Sequence, residues 1–275
     1  MTDVKNKIIW VTGASSGIGA ALAKVFSGSG ANIILSGRNV EALENVASSL
    51  KTDSLVLPFE VTNYEALAEH VKTAWSWKGR VDVFVNNAGV SQRSLALQTD
   101  PKVYTDLINI DLIAPIWLTQ LNLTPMVEAG GAHIVAISSI AGRIGAPLRT
   151  AYSAAKHGLL GYMDALRAEV EATHNIKVTN ILPGSVATDI SRNALTKDGS
   201  RRGVSDENID KGDSPIDCAN AILQAVKDDV PELIYAGDFE RGFAEMRHTD
   251  PEKFFEMIAG LGAQIAAAYE AGDET

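Results

Sequence analysis

Along the chain, short apolar runs alternate with longer segments in which apolar residues recur at three- and four-residue steps. The runs are "KIIWVTG", "NIILSG", "SLVLPFEV", "VDVFVNNAG", "AHIVAISS", "KVTNILPG" and "ELIYAG", most of them closing on Gly, Asn or Ser. Runs of this kind predict strands buried on both faces. The stretches between them, such as "IGAALAKVFSGSG", "NVEALENVASSLK" and "YEALAEHVKTAWSWKG", carry the helical period. Strand and helix in regular alternation predict an α/β fold of the doubly wound, Rossmann type. Right-handed crossovers then place helices on both faces of one parallel sheet, in a single domain over residues 1–275. Two stretches depart from the rhythm. Residues 188–214 are polar, charged and rich in turn formers, with few apolar anchors, and are expected to form a mobile lid over a substrate. Residues 238–275 hold two helical patterns, "DFERGFAEMRH" and "PEKFFEMIAGLGAQIAAAYEAG", and read as a C-terminal extension suited to a subunit contact.

Composition narrows the setting. No stretch of the 275 residues reaches the roughly 18 consecutive apolar residues of a membrane span, and the start enters a strand pattern without an export leader. A single cysteine, Cys218, allows no intramolecular disulfide and suits a reducing compartment, so a cytoplasmic location away from membranes is expected. The formal net charge of −10 argues against a nucleic-acid partner. The one dense basic spot is "SRRG", where Arg201 and Arg202 either contact an anion on cofactor or substrate or simply face solvent, the latter being the simpler reading.

Chemistry enters directly after the first strand, in "TGASSGIGAALAKVF". Gly13, Gly17 and Gly19 let the backbone approach a pyrophosphate, and the following helix N-terminus offers free N–H groups and a favourable dipole. The second strand ends at Gly37, where an acid gripping the ribose hydroxyls of NAD would stand, and Arg38 follows. A guanidinium suits a phosphate, so NADP(H) is favoured over NAD(H). In "AYSAAKH", Tyr152 and Lys156 stand four residues apart, on one face of a helix.

With "NNAG" at 86–89, "ISS" at 137–139, "YSAAK" at 152–156 and "PGSVATD" at 183–189, these motifs appear in the order and at the spacings of the classical short-chain dehydrogenase/reductase family, which the chain resembles over roughly residues 5–190. The resemblance implies a nicotinamide cofactor, a small carbonyl or alcohol substrate, a homodimer or homotetramer, and Ser139, Tyr152 and Lys156 as catalytic residues. Ser139 rather than Ser138 fits the family's spacing of thirteen to the tyrosine. It implies Asn87, Ala88 and Gly89 on the adenosine side of the cleft, and Pro183, Gly184, Val186 and Thr188 beside the nicotinamide. Ser15, Ser16 and Ile18 belong to the phosphate loop. Glu60 and Val61 fall where an Asp usually meets the adenine, a mild departure.

Reducing a ketone needs a hydride on carbon and a proton on oxygen, and the cofactor brings only the hydride. Free tyrosine titrates near about 10, so a nearby cation must favour the phenolate for it to cycle, and Lys156 is that cation. Ser139 would polarise the carbonyl oxygen. The family's fourth residue, an asparagine, has two contenders in "LINIDLIAPIWLT": Asn109 has the chemistry, Asp111 the spacing to Thr119. Pro115 favours Asp111. Lacking an N–H, it leaves the residue-111 carbonyl without its helical partner and free for a water, whereas the Asn109 carbonyl would be taken by the Ile113 N–H. If ionised, Asp111 would neutralise part of the Lys156 charge.

Other residues carry less. His157 follows the lysine on a different helical face, and His70, His133, His174 and His248 have no ligand spacing, so no metal is expected. Trp75 and Trp77 read as packing. An NADP-dependent oxidoreductase is the leading expectation. Its rivals are a dinucleotide-binding redox sensor or scaffold without turnover, and a nucleotide-sugar epimerase or dehydratase, which would need a longer substrate region. Substrate choice would lie in "GVSQRSLAL", "IAGRIGAPLRT" and residues 188–214.

Overall fold

The computed structural model describes residues 2–272. Seven strands, β1 (Ile8–Thr12), β2 (Asn32–Ser36), β3 (Ser54–Val56), β4 (Val83–Asn86), β5 (Ala132–Ile137), β6 (Ile176–Pro183) and β7 (Glu232–Tyr235), form one sheet in the order β3-β2-β1-β4-β5-β6-β7. Every pairing is parallel. The order reverses between β1 and β4, and their C-terminal ends open the crevice in which doubly wound sheets bind ligands. All seven apolar runs are strands. "SLVLPFEV" forms a strand shorter than its apolar content suggests; beyond it Leu57 and Phe59 stay buried, their N–H groups still donating to the Leu35 and Gly37 carbonyls at 2.9 and 3.1 Å.

The helices are α1 (Gly17–Gly28), α2 (Val40–Ser48), α3 (Tyr64–Lys78), α4 (Pro101–Ile108), α5 (Ala114–Glu128), α6 (Thr150–His174), α7 (Glu207–Asp210), α8 (Pro215–Lys227), α9 (Asp238–Thr249) and α10 (Pro251–Glu270). Strand alternation divides the core in two. Ile9, Val11, Ile33, Leu35, Val83 and Val85 pack under α1 and α8, whereas Ile8, Trp10, Ile34, Phe84 and Ile134 pack under α3, α5 and α6. Each fully buried side chain of this size stabilises the fold by about 1.5–3 kcal/mol relative to exposure.

Residues 188–214 are anchored by polar groups more than by apolar ones. Asp206 is buried and receives Arg93 Nε at 2.8 Å, with the Arg93 and Arg202 guanidiniums both against its oxygens and Arg149 at 3.4 Å. Burial alone would raise the Asp206 carboxyl, but the hydrogen bond and charge of Arg93, then Arg202, hold it below the ordinary range. Burial, then the nearby Arg149, brings Arg93 down to about 10. Composition shows none of this, because an arginine counts as polar whether solvated or locked to a buried carboxylate. In the extension, Phe243 and Phe254 close on Ile140 and Ile144, while Phe239, Phe255 and Met257 face solvent. Among the described residues no helix is long and apolar enough to cross a membrane, and no cluster of His, Cys, Asp and Glu is arranged to hold a metal.

Candidate active site

A cleft of about 650 Å³ opens at the C-terminal ends of the strands, lined by the phosphate-loop residues 13 and 15–19, Arg38, Glu60, Val61, residues 87–89, Asp111, Ser139, Tyr152, Lys156, Pro183, Gly184, Val186 and Thr188, whereas Asn109 and Arg202 stay outside it. Several glycines sit where a side chain has no room. A Cβ on Gly19 would strike the Gly13 carbonyl, and one on Gly89 would lie 2.9 Å from Asp111 Oδ2 and 3.3 Å from Lys156 Nζ. Asn87 Nδ2 donates to the Thr12 carbonyl at 2.8 Å and to the Gly13 carbonyl at 3.2 Å, bracing the loop against the end of β1. This bare-backbone cradle, leading into the N-terminus of α1, fits a dinucleotide diphosphate.

At the second strand the Arg38 guanidinium stands 3.3 Å from Glu60 Oε2, both side chains partly in solvent. Gly37 leaves space beside Ser15, and no carboxylate occupies the end of β2.

The four catalytic candidates converge from three elements. Tyr152 lies in the first turn of α6, and Lys156 follows one turn later with Nζ 5.5 Å from the centre of the tyrosine ring. Nζ donates to the Ile137 carbonyl at 3.1 Å and stands 3.1 Å from Asp111 Oδ2. Both charged groups are buried. Burial opposes the Lys156 ammonium, but the Asp111 carboxylate, then Tyr152, outweigh it, and the lysine titrates above its ordinary value. Burial lifts Asp111 above the usual carboxylate range against the pull of Lys156 and of the Val90 N–H, which donates to Oδ1 at 2.9 Å. We take the ion pair as the resting state, since each charge is the other's main partner.

Ser139 lies two residues beyond β5 and caps a 3-10 turn (Ile140–Gly142). Its Oγ accepts from the Ala141 N–H at 3.1 Å and donates to the Pro183 carbonyl at 3.4 Å, a weak enough bond to be exchanged for a ligand oxygen. Ser138 points inward and donates to the Lys156 carbonyl at 3.1 Å, which separates the two serines as their spacing suggests.

Asp111 reaches the site by a route the sequence does not disclose. Between α4 and α5 the chain makes a π-turn (Asn109–Ile113), so the Asn109 carbonyl accepts from Ala114, not from Ile113 as a continuous α-helix would require. The extra residue turns the Asp111 side chain inward, and the contact with the lysine is made by that side chain. Asn109 faces away: Tyr64 Oη donates to its carbonyl at 3.2 Å. His157 Nδ1 bonds the Ser153 carbonyl at 2.8 Å within its own helix.

Two supporting residues escape sequence reasoning. Gln92 is wholly buried; its Oε1 accepts from the Ala151 N–H at 2.8 Å and its Nε2 donates to Ser94 Oγ at 3.0 Å. Arg149, the N-cap of α6, offers no side-chain cap, so Gln92 caps this helix from a distant loop. Glu240 of α9 accepts from Ser185 Oγ at 3.1 Å and from the Gly237 N–H at 3.2 Å, gripping the loop after β6. Neither belongs to a motif, and the partners that matter to the site, Ala151 and Ser185, are brought to them by tertiary structure.

The sequence matches the family described as short chain dehydrogenase over residues 7–199. Among curated relatives, a mouse (Mus musculus) protein named dehydrogenase/reductase SDR family member 7B is 39% identical over 264 residues, covering 93% of this chain and 81% of the relative. The fold is similar to two solved bacterial structures. One is a short chain dehydrogenase/reductase from Burkholderia phymatum in complex with NAD, 19% identical with a TM-score of 0.80, covering 92% of this chain and 96% of that one. The other is a short chain dehydrogenase from Burkholderia cenocepacia in complex with NADP, 22% identical with a TM-score of 0.78, covering 94% and 99%.

Proposed function

Because the chain belongs to the short-chain dehydrogenase family, oxidoreductases that use a nicotinamide dinucleotide, we propose that it moves a hydride between NADP(H) and a carbonyl or secondary alcohol, with Tyr152 exchanging the proton. The observation that carries this reading is the buried Lys156 ammonium, fixed by the Ile137 carbonyl and Asp111 within reach of the Tyr152 ring in the cleft that Ser139 also lines. When bound, the dinucleotide supplies or accepts the hydride. The chain does the rest. Ser139, its acceptor side occupied by Ala141, aims its proton at the substrate oxygen. Tyr152 protonates that oxygen in reduction and takes the proton back in oxidation, while Lys156 stabilises the phenolate left behind. The favoured cofactor is NADP(H), on the ground that Arg38 stands at the end of β2 with no carboxylate at position 37; the 2′-phosphate would take the place of Glu60 on the guanidinium.

Tyr152→Phe tests both parts. The ring still packs, so NADPH should bind as to the parent and more tightly than NADH. Turnover should fall by about a hundred- to ten-thousandfold, the range of general acid catalysis. Turnover within tenfold of the parent would remove Tyr152 from the role, and equal affinity for the two cofactors would remove Arg38 from its own.

A further inference from the structure

The cleft is lined by six charged side chains, Arg38, Glu60, Asp111, Lys156, Asp189 and Arg201. Five have an opposite charge beside them: Arg38 with Glu60, Lys156 with Asp111 and, at 3.4 Å, Asp189 with Arg192. Arg201 is the exception among the described residues, making neither an ion pair nor a side-chain hydrogen bond. It is not a loose surface arginine by backbone. Residues 194–202 form a tight hairpin in which Leu195 pairs with Arg201, Thr196 N–H donates to the Ser200 carbonyl at 2.8 Å and Arg202 N–H donates to the Ala194 carbonyl at 2.9 Å. The Asp198 carboxylate closes the turn on the Ser200 N–H at 2.9 Å. Leu195 is in turn fixed to the body, its N–H donating to Ser91 at 2.8 Å and its carbonyl accepting from Arg93 at 2.9 Å.

Successive residues of an extended strand face opposite ways, so a pair of adjacent arginines is delivered to two destinations. Arg202 goes inward to buried Asp206, and Arg201 goes to the cleft. On a chain with a formal net charge of −10, an uncompensated guanidinium on a braced hairpin adds a positive charge to the cleft wall that attracts an anion. The geometry points to Arg201 as the recognition residue for an anionic group, carboxylate or phosphate, carried by the substrate away from its reacting carbonyl. This rests on the reductase reading above. A substrate anion and the cofactor diphosphate would satisfy a guanidinium alike, and the experiment has to separate them.

The probes are a series of oxo-carboxylates of increasing chain length and their neutral methyl esters, assayed with NADPH on the parent and on Arg201→Met, with NADPH affinity measured by direct titration. The parent should prefer one or more acids over the matched esters by about ten- to a hundredfold in kcat/KM, the yield of a charge-assisted hydrogen bond. Arg201→Met should bring that ratio near one while leaving ester turnover and NADPH affinity unchanged. A preference that survives the substitution overturns the assignment, and so does a loss of NADPH affinity with the acid-to-ester ratio unchanged, which would give Arg201 to the cofactor. If neither acid nor ester turns over, the question passes from turnover to binding. Equilibrium binding of the same acids to the protein with NADP then decides the site: binding weakened by Arg201→Met upholds it, and binding indifferent to the substitution ends it.

Discussion

Asp111 sets a buried carboxylate beside the cation of the proposed acid–base pair. Its carboxylate, buried 3.1 Å from Lys156 Nζ, keeps the lysine protonated to higher pH than burial alone would allow, and spends part of the ammonium's field in doing so. Asp111→Asn frees that field for the phenol. The rising limb of kcat/KM for alcohol oxidation should therefore move to lower pH with activity retained, and a pH profile of both proteins reads it. A limb that stays in place would make the carboxylate irrelevant to the proton transfer. Spacing and Pro115 singled out Asp111 over Asn109, but not the reason that Asp111 meets the lysine through its side chain. A π-turn is a hydrogen-bonding shift in the backbone and leaves no mark on composition or period.

Among the elements, α6 depends on a loop it does not touch in sequence. The Ala151 N–H, one of the orphan donors of its first turn and the residue before Tyr152, is held by Gln92, whose own backbone pairs with Leu195 in the 188–214 segment. Removing the acceptor leaves a buried N–H unsatisfied and lets the turn bearing the phenol loosen, at a cost of about 1–3 kcal/mol. Gln92→Met, close in volume, should lower kcat by about tenfold with NADPH affinity intact, and Gln92→Glu, which restores the acceptor, should recover most of it. Steady-state kinetics with cofactor titration on the two variants checks this, and equal losses in both would mean that only bulk at position 92 matters. The strands and the cofactor motifs were legible because their signals are local: apolar runs between turn residues, glycines before a helix, Tyr and Lys one turn apart. Gln92, Asp206 and Glu240 were not, because each is polar in a polar-looking stretch and gains its meaning from a partner more than fifty residues away.

For the molecule as a whole, the least forgiving polar group lies at the far end of the sheet from the cleft. His133, near the start of β5, is buried, with Nε2 2.8 Å from Thr179 Oγ1 and Nδ1 3.3 Å from Thr2 Oγ1. Burial brings it down to about 4; Lys177 pushes the same way, and Asp229 and Glu171 resist. The folded value lies below the unfolded one, so stability is complete above about 6.5 and falls as pH drops toward 4, by about 3 kcal/mol over that window. Thermal melts of the parent and His133→Gln across this range should diverge, the variant losing less stability on acidification. Parallel slopes would place the acid sensitivity elsewhere.

The π-turn between α4 and α5 also fixes a phase. An α-helix advances about 100° per residue, so a chain one residue shorter at that point could run straight through as regular α-helix, with every residue upstream rotated by that angle against everything downstream. Asp111 would then swing off Lys156, and α4, which packs on α6 through Val103, Leu107 and Ala151, would present a different face. The single surplus residue works as a vernier, trading one irregular turn for the angular setting that keeps Asp111 on Lys156 and α4 on α6.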